Sequence, residues 1–182
     1  MRKTLEILTS KGTPISEVER EAAMIAILLH DLGHGPFSHA LEGVLIENVS
    51  HEFWSLSLMK ILNDKYDGKL NLAIQMFEGK YKRPFFNQLI SSQLDMDRLD
   101  YLKRDSFYSG VTEGNISTDR IITMLRVHQD RLVVEKKGMY SIEKFLLARR
   151  LMYWSVYLHK TSYVAEEVMK RIILRARELL QN

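Results

Sequence analysis

Residues 22–29, AAMIAILL, carry apolar side chains round nearly the whole circumference of a helix, and HDLGHGP follows at once. No other feature constrains the fold as much. A helix without a polar face belongs inside, so the polar groups at its end must find partners away from bulk water. The start of this helix is legible: Ser16 and Glu19 have the spacing of a capping box, each side chain reaching the other's backbone N–H. So is its stop. His30–Gly35 is poor in helix formers, and Pro36 disfavours helix at Gly35.

Helical spacing dominates the rest of the chain, which has only three prolines and nine glycines in 182 residues. The pattern predicts a helix over residues 1–11 closed by Gly12 and Pro14, another over 37–46, and a third from His51 to about Asn63. NDKYDGKLN and EGKYKRP read as polar loops, residues 87–106 as one long helix, and 117–127 as a shorter one. DRLVVEKKGMYSI alternates and turns at Lys137-Gly138, which predicts a short β-hairpin near residues 131–141. From Ile142 onward the pattern is helical again. The fold class expected is mainly α, in one domain with no internal repeat or linker.

Composition removes several functions. There is no cysteine, which excludes disulfides, thiolate catalysis and zinc fingers. With 26 basic and 23 acidic residues the net charge is +3, too mild to argue for nucleic acid or membrane. The longest apolar run has eight residues, against the roughly 20 of a spanning helix. MRKTLEILTSKG has neither the apolar core nor the cleavage site of a secretion signal. A cytoplasmic protein without membrane contact is the expectation.

The cluster after the apolar run carries the chemistry. His30, Asp31, His34 and His39 fall within ten positions. A lone histidine on an apolar helix is more often a hydrogen-bonded structural residue than a ligand. Several titratable groups together are costlier to bury without partners, and a divalent cation satisfies imidazole nitrogen and carboxylate oxygen at once. Neighbours on a helix point about 100° apart, so the His30-Asp31 spacing alone decides little. A second polar constellation lies in SSQLDMDRLDYLKRDS. With Asp97 at zero, Tyr101, Asp105 and Arg98 fall at about 40°, 80° and 100° of helical arc. On its own that arc is more often a solvated face with i,i+4 pairs, though it also suits a site for metal, phosphate and sugar.

HDLGHGPFSH resembles the HD phosphohydrolase superfamily, and its continuation past the His-Asp pair is similar to the deoxynucleoside triphosphate triphosphohydrolases, including the bacterial dGTPases. The resemblance implies an HD-domain helical bundle that cuts a dNTP to deoxynucleoside and inorganic triphosphate. It implies a divalent metal (Mn, Mg, Fe, Ni or Zn) on His30, Asp31 and the distal Asp97, and His39 as the acid, with Glu42 and His51 tuning it. His34 would steady the α-phosphate. Arg98 would contact phosphates, and Tyr101 and Asp105 would face the deoxyribose. SHEFWS resembles the family segment that brings in His51; YLHKT resembles a late helix whose Tyr157 and Lys160 touch sugar and phosphate. For the aromatic-rich helix at 153–157, core packing is an equally good reading.

Family members carry a first metal-binding histidine upstream, and this chain has none before His30. ILRARELLQN is still helical where it stops. By resemblance, residues 1–182 are one HD-type domain truncated at the N-terminus and open at the C-terminus, from a protein that forms homo-oligomers. Two other functions share the pattern. One is a different HD phosphohydrolase, a nucleotidase or phosphodiesterase. The other is a non-catalytic HD module for oligomerisation or nucleic-acid binding, with Lys170, Arg171, Arg175 and Arg177 as a basic strip; a solvated helix face is the plainer meaning of that strip.

Overall fold

In the computed structural model, which describes residues 1–44 and 49–181, Ser16 opens helix α2 (Glu17–Leu29) through the expected capping box. Its hydroxyl accepts the Glu19 N–H at 3.2 Å, and a Glu19 carboxylate oxygen accepts the Ser16 N–H at 2.9 Å. The other Glu19 oxygen takes Tyr81 Oη at 2.7 Å and Arg83 at 2.8 Å, fastening the start of α2 to the loop around residue 83. Helix α1 (Arg2–Ser10) precedes it and ends at Gly12, whose φ of +89° suits a residue without Cβ.

The apolar run is not buried all round. Ala22, Ala23 and Ala26 are buried, but Leu28 is 78% exposed. Small alanines let α4 (Asn71–Phe77) and α5 (Phe85–Ile90) approach α2, on which α1 also packs. Helix α3 (His51–Lys65) runs slightly beyond its expected end, and α4 begins where a loop was expected to finish.

The long helix expected over 87–106 is two. Ser91 takes an extended backbone, and Asp95 starts α6 (Met96–Ser109) by accepting the N–H groups of Arg98 at 2.7 Å and Ser92 at 3.0 Å. This break sets Asp97 in the first turn of α6. The helix expected over 37–46 is a 3₁₀ turn at Ser38–Leu41, and residues 45–48 lie outside the described residues.

Helix α7 (Thr118–Met124) gives way to β1 (Leu125–His128), which pairs antiparallel with β2 (Arg131–Val134) in the register Leu125 to Val134. The hairpin exists but sits earlier than expected. Its turn is Gln129-Asp130, both with positive φ as a two-residue I′ turn requires, whereas Lys136–Gly138 is a 3₁₀ turn leading into α8 (Met139–Met152). A π-helical turn at Tyr153–Tyr157 separates α8 from α9 (Lys160–Gln181).

Leu5, Leu8, Met59, Met76, Phe85, Phe86, Leu99, Leu102, Ile121 and Phe145 form the core, each worth about 1.5–3 kcal/mol by burial. No helix among the described residues is long and apolar enough to cross a membrane. The fold class is mainly α, with one small antiparallel sheet.

Candidate metal centre

His30 caps the carboxyl end of α2, where the helix dipole favours a positive charge. Its Nδ1 lies 2.7 Å from the Ile27 carbonyl oxygen. An Nδ1–H donated there leaves a lone pair on Nε2. That atom is buried and has no hydrogen-bond partner among the described residues. It stands 3.3 Å from Asp31 Oδ2 and 3.7 Å from Asp97 Oδ1, the latter beyond hydrogen-bond range. His30, Asp31 and Asp97 each offer a ligand atom within 4.8 Å of the other two.

The Asp97 carboxylate, aided by Asp31 and opposed by burial, raises the pKa of His30; His30 in turn lowers that of Asp97. A buried imidazole nitrogen facing two carboxylates calls for a positive charge between them. One nitrogen and two carboxylate oxygens make a donor set that a divalent first-row cation accepts, so the residues present fit the group.

Beside this centre three more histidines cluster, two of them on Glu42. Its Oε2 lies 2.9 Å from His39 Nδ1, and its Oε1 lies 2.8 Å from His51 Nδ1 and accepts the His51 backbone N–H, also at 2.8 Å. The bond from His39, then the His51 backbone, holds Glu42 down at about 2. The His34 ring stacks on that of His51 with centroids 4.2 Å apart, and His39 meets both rings edge-on. Asp31 links the two groups, with Oδ1 3.4 Å from His34 Nε2. Burial, then the His51 charge, lowers the pKa of His34.

Two residues that sequence reasoning passed over make this convergence possible. Gly33 donates its N–H to Ser55 Oγ at 2.9 Å. A Cβ on Gly33 would fall 2.2 Å from the His51 carbonyl oxygen and 2.3 Å from the Ser55 nitrogen. Only glycine lets the loop after α2 press against the first turns of α3. The glycine-rich spelling of HDLGHGP carried the signal, but its partner helix could not be read from it. Asp95 was also missed, and an aspartate two positions before Asp97 is an N-cap signal.

The remaining expected site residues are partly gathered. Tyr157 Oη donates to Asp105 Oδ2 at 2.8 Å, and the Tyr101 ring stands edge-on to Tyr157 at 6.1 Å. Burial, then Asp105, raises the pKa of the Tyr157 phenol. Arg98 donates Nε–H to the Ser92 carbonyl at 2.7 Å and pairs with Asp95 at 3.2 Å, so much of its bonding supports the break before α6. Lys160 is exposed at the start of α9, bonded to none of the described residues. In the basic strip, Lys170 pairs with Glu167, Arg175 pairs with Glu178, and Arg177 donates to the Val44 carbonyl.

Comparison with known proteins identifies the family. The family model described as HD domain matches residues 1–105, and the one described as HD associated region matches residues 116–180. The protein YwfO of Bacillus subtilis is 37% identical over 177 residues, covering 93% of this chain and 40% of its own length. The deoxynucleoside triphosphate triphosphohydrolase SAMHD1 homolog of Dictyostelium discoideum is 28% identical over 191 residues, covering 96% of this chain and 37% of its own length. The crystal structure of a phosphohydrolase from Bacteroides thetaiotaomicron superposes with a TM-score of 0.93 at 60% identity, covering 97% of this chain and 44% of that one. The chain thus spans less than half the length of each of these relatives.

Proposed function

Because the chain belongs to the HD domain family, we propose that it is part of a metal-dependent phosphohydrolase that converts a deoxynucleoside triphosphate to deoxynucleoside and inorganic triphosphate. One observation carries the reading: the buried Nε2 of His30, without a hydrogen-bond partner among the described residues, faces the carboxylates of Asp31 and Asp97. The kinship with a deoxynucleoside triphosphate triphosphohydrolase supports the choice of substrate.

A divalent cation on His30, Asp31 and Asp97 would supply Lewis-acid charge to phosphate oxygens and lower the pKa of a water. The chain's own groups do the rest. Water oxygen bonds to the α-phosphorus, the bond from that phosphorus to the 5′ oxygen breaks, and the departing oxygen takes a proton from a histidine. His39 is that donor. Glu42 holds its Nδ1, so Nε2 is the nitrogen presented to substrate, and the carboxylate stabilises the charged ring. His51 fixes Glu42 through both its side chain and its backbone. His34 steadies the α-phosphate. Arg98 and Lys160 neutralise the polyphosphate, while Tyr101 and the Tyr157–Asp105 pair bind the deoxyribose, where a close tyrosine leaves no room for a 2′ hydroxyl.

The test is incubation of the purified chain with each dNTP and Mn²⁺, Mg²⁺ or Fe²⁺, with separate assays for tripolyphosphate and for nucleoside monophosphate. Tripolyphosphate release that disappears in Asp97→Ala supports the reading. A monophosphate product would transfer the chain to the nucleotidases or phosphodiesterases. No product together with salt-sensitive binding of single-stranded nucleic acid would make it a non-catalytic module.

A further inference from the structure

The two clusters that share Asp31 have different donor chemistry. The first has one imidazole and two carboxylates; the second has three imidazoles, from His34, His39 and His51, each with a ligand nitrogen within 4.8 Å of the others. Glu42 engages Nδ1 of both His39 and His51. The Nε2 atoms of these rings therefore point away from Glu42, that of His51 lying 3.5 Å from Glu52 Oε1. A histidine that bonds a carboxylate through one nitrogen and a metal through the other is a recurring arrangement, because the carboxylate fixes the tautomer and makes the ligand nitrogen more basic. Here a single carboxylate serves two rings.

We propose that His34, His39 and His51 form a second cation site, selective for zinc-like ions that prefer nitrogen donors, and that filling it withholds His39 from proton transfer. An all-imidazole set favours Zn²⁺, Ni²⁺ or Cu²⁺ over Mg²⁺ or Mn²⁺. The ring of His34 lies nearly parallel to that of His51, at 16°, and a metal lies in the plane of each ring it binds. Occupation therefore tilts these two rings apart. With 68% of its side chain exposed, His39 opens the cluster to ions from solvent. Binding itself is independent of the function proposed above; only its inhibitory consequence rests on that reading.

The experiment is equilibrium dialysis of the tag-free chain against Zn²⁺ and, separately, Mn²⁺, followed by elemental analysis. The chain is expected to retain two zinc ions but one manganese ion. His39→Gln, at an exposed position that leaves the core intact, is expected to drop zinc to one, and Asp97→Ala to keep one at the histidines. Circular dichroism verifies that both variants are folded. Saturation of the unaltered chain at one zinc, or two zinc ions retained by His39→Gln, overturns the second site. Two zinc ions retained, together with no hydrolysis when one manganese ion is bound and the histidine cluster is unfilled, would overturn the proposed function and leave this site standing. Where hydrolysis is present, the zinc equivalent beyond the first is expected to abolish it, and undiminished activity at two equivalents overturns the inhibitory role.

Discussion

His30 Nε2 and Asp97 Oδ1 stand 3.7 Å apart, the first at the carboxyl end of α2 and the second in the opening turn of α6. With the lone pair of His30 Nε2 turned toward that carboxylate, a positive charge between the two atoms relieves their repulsion. Removing Asp97 tests that dependence directly. Asp97→Ala is expected to weaken manganese binding by more than about 10-fold, the lower end of what even indirect supports of a metal contribute. Isothermal titration of the metal-stripped chain gives the number, and unchanged affinity would dissociate Asp97 from the centre.

The histidine cluster predicts a separation between binding and chemistry. His39→Ala is expected to slow tripolyphosphate release by about 10²–10⁴-fold, the range for a lost proton donor, while manganese content stays the same. Glu42→Gln keeps the shape but loses the charge that steadies the ring, and a reduction of about 10–100-fold is expected. Steady-state assays with parallel elemental analysis separate this outcome from simple metal loss.

Gly33 predicts a stability effect confined to one glycine of the motif. Gly33→Ala drives a methyl group into the backbone of His51 and Ser55, and overpacking of this kind costs about 1–3 kcal/mol or more. Gly35→Ala meets nothing within 4 Å and should stay within about 0.5 kcal/mol of the unaltered chain. Urea midpoints of the two variants measure the contrast.

Glu19 predicts how stability responds to acid. Burial alone would raise its pKa, but the Ser16 N–H, Arg83 and Tyr81 outweigh it and bring the folded value to about 2, from an ordinary 4.5. A depressed carboxylate stabilises the fold fully above its unfolded pKa, and that stability is lost as pH falls through the folded one. The contribution is up to about 3 kcal/mol, at roughly 1.4 kcal/mol per unit. Glu19→Gln is therefore expected to differ most from the unaltered chain above pH 4.5 and to converge with it towards pH 2. Urea denaturation across that range follows the difference.

Local signals were legible and long-range ones were not. The capping box of Ser16 and Glu19 involves neighbours in the chain, so spacing alone disclosed it. The end of α2 was visible for the same reason. The break between α5 and α6 was hidden, because Ser91–Asp95 contains neither glycine nor proline and its stop depends on side-chain caps. Lys137-Gly138 advertised a turn, and the hairpin instead reversed at Gln129-Asp130, residues that carry a weaker turn signature. Within the candidate site, His30 and Asp31 stood out from the sequence. That Asp97 would meet them came from resemblance alone, since periodicity placed it only on a polar arc. The double grip of Glu42 on His39 and His51 depends on how α3 docks, and no local pattern encodes that.

Helix α6 bears Asp97 in its first turn and Asp105, bonded to Tyr157, eight positions later. At 1.5 Å per residue those two carboxylates are separated by about 12 Å along a rigid rod. The rod acts as a ruler, setting how far a molecule must reach to touch both ends. Deleting one residue between them would shorten the span by about 1.5 Å and rotate one end by about 100° relative to the other. No side-chain exchange reproduces that, so the reach of the site is written into the length of the chain between its two aspartates.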